Sequence, residues 1–379
     1  MTERTVVFVH PSDELYGADR CLLAIVAGRP DDTRAVVVLP RDQQYDGLLS
    51  DALVAAGAEV RRVDFAVLRR AELRPGGWLR LVRRLTVGTW ELATLIRQEN
   101  AAVVRTNTLA AVSGPLAALL ARRSHIWHVH EDISDEHWSI RLAFRLLGML
   151  PGQIIANSNA SARALAGPIR TLRRRTRVIQ PGLVETVEST SPPSVREHTE
   201  LRVAFVGRLA PRKGVAELLK AVRMAHGRGI GLRLTVFGAA PPGQERLEGR
   251  YRQLAATLGI DDIVKFEGFV RDARQRLSGF DVLVVPSQRP EPFGLVIVEG
   301  MAAGCAVVAC RNGGGSDEIL SHGVTGLYCG RTPASIAAAI ARLAGDPVFR
   351  ERLGVAARNE ARERFSVQRY ATDIWAIDG

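Results

Sequence analysis

At 379 residues the chain is long for one doubly wound domain, which predicts two. Its 46% hydrophobic and 24% charged residues are those of a soluble globular protein able to bury large cores. The net charge of +11 (51 basic against 40 acidic) rests almost wholly on arginine, because Lys213, Lys220 and Lys265 are the only lysines. So extreme a bias also follows from genome composition, and does not by itself argue for a nucleic-acid partner.

The first half alternates strand-like and helical patterns. Strands are predicted at Thr5–Val9, Ala35–Leu39, Val60–Val63, Ala102–Thr106, Ile126–Val129 and Gln153–Ala156, with a helix through Cys21–Ala27 after the loop 10–20 and helices at about 47–57, 77–99, 109–122, 138–149 and 159–166. Alternation of this kind predicts a parallel sheet with helices on both faces. Residues 184–200 are polar and proline-rich and read as a linker between domains. The pattern then restarts, with strands at Leu201–Val206, Leu232–Phe237, Ile263–Phe266, Val282–Val285 and Ala306–Ala309. Helices are predicted near 214–228, 244–258, 293–304 and 334–344, and residues 347–376 read as helical. The expectation is an α/β protein of two doubly wound domains, 1–183 and 201–360, with 361–379 returning to the first.

Neither first βα turn carries GxGxxG, which argues against a nicotinamide or flavin dinucleotide. Cys21, Cys305, Cys310 and Cys329 show no zinc spacing, and Cys305 and Cys310 sit in apolar runs as small core residues. A reduced, cytoplasmic setting is expected. The N-terminus is too polar for a signal peptide and no apolar run reaches spanning length, so any membrane contact is expected to be peripheral, on the inner face.

Two arginine clusters stand out. Residues 61–84 carry Arg61, Arg62, Arg69, Arg70, Arg74, Arg80, Arg83 and Arg84 against Asp64 and Glu72, and residues 141–177 carry eight arginines and no acid. Interleaved with Trp78, Leu79, Leu81, Val82 and Leu85, the first cluster fits core packing and an anionic membrane surface equally well. Nucleic acid is disfavoured, since no helix-turn-helix, zinc or RNP motif occurs.

Three stretches carry the chemistry. Val206-Gly207-Arg208-Leu209-Ala210-Pro211-Arg212-Lys213-Gly214 leaves a strand and opens a helix, an arrangement suited to holding an anion. In Glu291-Pro-Phe-Gly-Leu-Val-Ile-Val-Glu299 a helix is expected from about Phe293 with Pro292 at its first position. Glu291 and Glu299 then sit about 12 Å apart along the axis and about 80° out of phase. The bland alternatives are a solvated loop acid and a capped core carboxylate. The sharper one is two acids gripping one long polar ligand. Cys310-Arg-Asn-Gly-Gly-Gly-Ser-Asp-Glu reads either as a ligand loop with Ser316 capping the next helix or as an ordinary glycine turn. His125, His128 and His130 lie along one strand, unlike the helical spacing of a zinc protease, and His130 at the strand's end is the one expected in a site.

Taken together these pieces resemble the retaining glycosyltransferases of the GT-B fold, glycosyl transferases group 1 (family 4). The resemblance covers most of the chain and is strongest over 201–330. It is carried by Val206-Gly-Arg-Leu209 with Lys213-Gly214, Phe266-Glu-Gly-Phe-Val270, Pro286-Ser287, the Glu291–Glu299 stretch, Gly313-Gly314 with Glu318, and Gly323-Val-Thr-Gly-Leu327. Gly17-Ala18-Asp19-Arg20 is similar to the family's Gly-Ala-Glu-Arg, and Asn157-Ser158 to its strand-end serine. The resemblance implies a nucleotide-diphospho-sugar donor, UDP- or GDP-linked, held by the second domain, and a glycan, lipid-linked or small-molecule acceptor at the first.

By the same resemblance Arg208 and Lys213 would hold the diphosphate, next to Gly207, and stabilise its charge as it leaves. Glu299 would bind the ribose, Glu291 the transferred sugar, and the backbone of Phe293, Gly294 and Leu295 would approach sugar or phosphate. Gly268, Phe269 and Val270 would border the base, Gly17 would close over the diphosphate, and His130 would stand near the reacting carbon. No cofactor or metal is implied, in keeping with the lack of any Asp-x-Asp. Departures are Gln180-Pro-Gly in place of Pro-Asn-Gly and a triple glycine where two are commoner. Competing readings are a GT-B nucleotide-sugar epimerase and a non-catalytic basic membrane-binding protein. A retaining glycoside hydrolase would need its carboxyl groups about 5–5.5 Å apart, against the spacing of Glu291 and Glu299.

Overall fold

The apolar runs form strands buried on both faces, as strands of a helix-covered parallel sheet must be; Val6–Val9 and Val36–Leu39 are almost wholly inaccessible. The computed structural model describes residues 3–41, 47–69, 77–184, 200–241, 243–270 and 273–377. The predicted linker falls almost wholly on 185–199, and Arg70, Glu72 and Arg74 on 70–76, outside the described residues. The chain divides into two compact units, Met1–Leu183 with Val367–Gly379, and Val184–Ser366.

Unit 1 carries β1 (Arg4–Val9), β2 (Thr33–Pro40), β3 (Glu59–Val63), β4 (Val103–Asn107), β5 (Ser124–Val129), β6 (Gln153–Ala156) and β7 (Thr176–Val178). All pair in parallel, in the order β3-β2-β1-β4-β5-β6-β7. The chain runs outward from β1 to β3 and then returns to lay β4 on the other side of β1. That reversal is a topological switch point, where the loops leaving the carboxyl ends of two neighbouring strands part and a ligand crevice forms.

Unit 2 carries β8 (Leu201–Val206), β9 (Leu232–Phe237), β10 (Val264–Gly268), β11 (Val282–Val285), β12 (Ala306–Cys310) and β13 (Leu327–Cys329), in the order β10-β9-β8-β11-β12-β13. These too are parallel, and the switch point lies between β8 and β11. Valines of β8, β9 and β12 pack with Leu218, Val222, Ile336 and Ile340 of the covering helices.

The three-residue edge strands β7 and β13 escape sequence reading, being too short to show a period, and β7 contains Arg177. The helical stretch over 347–376 is two helices. Pro347–Arg364 sends Ala357 and Ala361 into the core of unit 2, and the chain breaks at Phe365, also buried there. Val367–Trp375 belongs to unit 1, where Trp375 Nε1 donates to Ile25 O at 2.9 Å and its ring meets Phe8 edge-on. The crossing thus lies at Ser366/Val367 rather than near 361.

Candidate functional site

In unit 2 the loops after β8, β11 and β12 are fastened to one another. The first leaves Val206, makes a tight turn over Pro211–Lys213 and enters the helix Val215–His226 through Gly214. Gly214 has φ +74°, and a Cβ there would stand 2.0 Å from the Pro286 carbonyl oxygen, so only glycine lets the two loops meet. Gln288 N donates to Arg212 O at 2.7 Å across the same seam.

This seam buries Glu291. Its Oε1 lies 2.7 Å from Lys213 Nζ and 3.3 Å from Arg212 Nη1, and accepts from Ser287 Oγ at 2.8 Å. The residue is only 5% exposed, so the reading as a solvated loop acid is corrected. A carboxylate so placed is tolerated because its charge is matched. Burial pushes the Glu291 carboxyl up, but the Lys213 and Arg212 charges outweigh it and hold the group below its usual range. Burial lowers the Lys213 ammonium; Glu291 opposes this, while Arg212 and Arg208 add to it. Among the described residues no protein group bonds Glu291 Oε2. The carboxylate therefore has one oxygen fixed by three donors and one left to accept.

Arg208 is exposed, and lies near enough to Lys213 to depress its ammonium. Arg212, not Arg208, is the arginine on Glu291. Sequence reading missed Arg212 and Ser287 as site residues, although both stand within four residues of ones it chose.

The loop after β12 backs Glu291. Gly315 N donates to Glu291 O at 2.7 Å, and a Cβ on Gly314 would fall 2.4 Å from both Glu291 N and O. Ser316 does not cap a following helix as expected; its hydroxyl donates to Asn312 Oδ1 at 3.1 Å, which also accepts from Gly314 N. Asp317 takes the Asn312 and Gly313 N–H groups. The triple glycine thus brings backbone against backbone.

The helix following Glu291 starts at Leu295 rather than Phe293, because Gly294 adopts φ +104° as its N-cap. Pro292 therefore sits in the loop, and Phe293 is buried edge-on against Phe365. Glu299 lies in the second turn, 9% exposed. Gly268, at the end of β10, has φ +71° beside an irregularity in the strand's register, and is followed by Phe269, 58% exposed, and half-buried Val270. Gly207 begins the first loop, where its N donates to Phe237 O at 3.0 Å.

In unit 1 the groups at the switch point form a hydrogen-bonded chain: Asp19, His10, Asn107, His130. Asn107 Nδ2 lies 3.4 Å from the Ala18 carbonyl, which can only accept, so this end of the amide is the amino group. Nδ2 also donates to His10 Nδ1 at 2.8 Å, so His10 carries its proton on Nε2 and gives it to Asp19 Oδ1 at 2.6 Å. Ser12 Oγ and Tyr16 N also donate to Asp19, each at 2.7 Å. Burial pushes the Asp19 carboxyl up, but His10, Ser12 and Tyr16 together bring it below its usual range.

At the other end Asn107 Oδ1 faces His130 Nε2 at 2.9 Å, so Nε2 must donate. Burial, with His10 adding and Asp19 opposing, lowers His130 to about 3. The ring is therefore neutral at pH 7, protonated on Nε2, and has Nδ1 as its acceptor. His128 stacks on it at 4.2 Å between centroids and reaches Tyr370 Oη at 3.4 Å, while His125 bonds Thr106 Oγ1 at 2.9 Å. The two inner histidines are thus packed and bonded, and His130 is the one at the strand's mouth. Gly17 opens the helix Gly17–Ala27 beside Asp19. Sequence reading missed His10 and Asn107; each stands at or just past the end of a strand flanking the switch point. Among the described residues no group of three or more His, Cys, Asp or Glu could hold a metal ion.

Residues 187–360 match the family model of glycosyl transferases group 1. Unit 2 is a glycosyl transferases group 1 domain. The chain is 34% identical over 227 residues to the D-inositol 3-phosphate glycosyltransferase of Nocardiopsis dassonvillei, covering 55% of this chain and 51% of that protein. It is 37% identical over 175 residues to the lipopolysaccharide core biosynthesis glycosyltransferase LpsD of Rhizobium meliloti, covering 46% and 47%. The chain spans about half the length of the curated relatives it matches. Among solved structures, Anabaena Alr3699/HepE in complex with UDP and glucose has a TM-score of 0.81 and 26% identity over 99% of both chains. Sucrose-phosphate synthase from Thermosynechococcus elongatus, 18% identical with a TM-score of 0.71 over 99% and 98%, shares the fold. The two doubly wound units are those of the GT-B glycosyltransferases.

Proposed function

We propose that the chain is a retaining, metal-independent glycosyltransferase that moves a sugar from a UDP- or GDP-sugar to a glycan, lipid-linked or small-molecule acceptor. The observation that carries the reading is the Lys213–Glu291 pair at the β8/β11 switch point, with one carboxylate oxygen left open. Lys213 and Arg208, with Arg212 beside them, would hold the diphosphate. As the sugar–oxygen bond breaks, charge grows on the departing phosphate, and fixed cations gain most from that growth; this is how binding becomes rate enhancement. Three cations on that loop leave a divalent ion less charge to neutralise.

Glu291 Oε2 would accept from hydroxyls of the transferred sugar, while Oε1 keeps the carboxylate aimed. The backbone of Phe293, Gly294 and Leu295 would approach the same group, Glu299 would take the ribose, and Gly268–Val270 would border the base. From unit 1 the reading takes Gly17 for the diphosphate and neutral His130, accepting through Nδ1, for the sugar. The HepE complex with UDP favours UDP as the first base to try.

The test is thermal shift with UDP, GDP, ADP and TDP, each with and without EDTA, since a ligand that binds only the native state raises the melting temperature. A shift with one nucleotide that survives EDTA is expected. No shift at millimolar nucleotide would overturn the donor-site reading. Donor turnover that proceeds equally with and without an acceptor would replace transfer by epimerisation or hydrolysis.

A further inference from the structure

The helix Trp138–Gly148 in unit 1 is apolar on both sides. Its inward face puts Phe144 into the core, with Ile140 and Leu147 packed against the same cluster. Its outward face carries Trp138, Leu142 and Leu146, continued by Met149, which are 63%, 46%, 62% and 45% exposed. At 100° per residue these four fall within an arc of about 80°, and the remaining exposed helix positions are Ser139 and Ala143, so no charge interrupts the face. A helix hydrophobic all round is ordinarily buried. This one is not.

Its surroundings are basic. Arg141 and Arg145 flank the apolar face, and Leu172 of the helix Arg170–Arg175 packs against Gly148, bringing exposed Arg170, Arg173 and Arg174 beside the helix's end. Asp135 and Glu136 precede the helix, and no further acid occurs until Glu185. A second apolar strip adjoins the same cluster, where Leu81 packs: Trp78, Leu79 and Val82 are about half exposed or more. Three of the five tryptophans, Trp78, Trp90 and Trp138, are more than half exposed.

Four arginines of 61–84 are differently employed. Arg61 pairs with Glu59 and Glu99, Arg62 with Asp13, and both Arg83 and Arg84 with Asp64. Arg170, Arg173 and Arg174 of the second cluster pair with no acid among the described residues.

We propose that this face docks on an anionic lipid surface, with Trp138, Leu142 and Leu146 entering the interface and Arg170, Arg173 and Arg174 meeting lipid phosphates. Tryptophan and leucine on one side with arginine at the rim is the chemistry of an interfacial helix, and the charge complementarity selects an anionic bilayer over a neutral one. The proposal stands apart from the transferase reading, and its test needs no donor.

The full chain is sedimented with phosphatidylglycerol/phosphatidylcholine vesicles and with phosphatidylcholine alone, at low and high salt. Binding is expected on the anionic vesicles, weakening with salt, with a blue shift of tryptophan fluorescence. Each arginine near the surface contributes about fivefold in affinity, so Arg173→Glu with Arg174→Glu should cut binding by at least about twentyfold. Leu142→Ser with Leu146→Ser should abolish the fluorescence shift while the melting temperature holds. Absence of binding to anionic vesicles, or equal binding by the variants, would overturn the proposal. So would a wild-type dimer in light scattering that the leucine variant splits, with no vesicle binding, since the face would then be covered by a second copy.

Discussion

The two switch points are built on one plan and filled with opposite chemistry. In unit 2 the crevice between β8 and β11 holds full charges, Lys213 and Arg212 against Glu291. In unit 1 the crevice between β1 and β4 ends in a neutral imidazole, separated from the Asp19 carboxylate by three hydrogen bonds, the His10 ring and the Asn107 amide. An ion pair holds a group whose charge changes during reaction. A neutral chain of donors and acceptors instead fixes which atom faces a hydroxyl. On the proposed function, the difference gives electrostatic work to unit 2 and orientation to unit 1.

The comparison breaks most visibly at Lys213. Lys213→Ala should lower turnover by roughly 10²–10³, the scale of losing one charged group at a developing anion. It should also cost up to about 3 kcal/mol of stability, because Glu291 stays buried with only Arg212 and Ser287. Adding Glu291→Gln should restore the stability and not the turnover; denaturant titration and donor turnover on all three variants form the cycle. Restored turnover would make the pair structural.

Gly214→Ala forces a side chain at φ +74° into the Pro286 carbonyl. A loss of about 2 kcal/mol or more is expected, with weaker nucleotide binding, because Gln288 and Glu291 sit on the displaced loop. Urea unfolding checks the first and titration the second.

Asn107→Asp sharpens the other side. It replaces the donor to His10 and sets a carboxylate beside His130 Nε2, which raises that histidine towards protonation. The expected fall in kcat is roughly tenfold to hundredfold with donor KM little changed, and an acid limb should appear in the pH–rate profile. Nitrogen-15 shifts of His130 should report the Nε2–H form in the native protein only. An unchanged profile would leave Asn107 a packing residue.

A further effect is on acid stability. His125 and His130 are lowered to about 3 by burial, whereas the unfolded chain titrates near the ordinary 6.5. Between these values the unfolded state binds protons that the native state does not, so stability falls as pH drops from about 6.5 towards 3. Melting temperature against pH should show this slope, and His125→Phe should make it shallower.

Much of this was legible. The alternation of apolar runs with helical periods gave both sheets, and Lys213, Glu291 and His130 could be picked out at strand ends, where side chains meet ligands. The pairing of Glu291 with Lys213 was not, because 78 residues separate them and only the register of β8 against β11 closes that gap. Asn107 and His10 were likewise hidden: each is unremarkable in its own run, and β1 and β4 are joined by no local pattern. The helix start was set about two residues early, at Phe293, because a positive φ at the N-cap leaves no trace beyond the glycine itself.

The most direct measurement is calorimetric titration of UDP in EDTA into the native protein and Lys213→Ala. The account predicts binding to the native protein and a loss of at least about tenfold in the variant, the worth of one charge-assisted hydrogen bond. Equal affinity in the two proteins would contradict the assignment of the donor's diphosphate to the β8/β11 switch point.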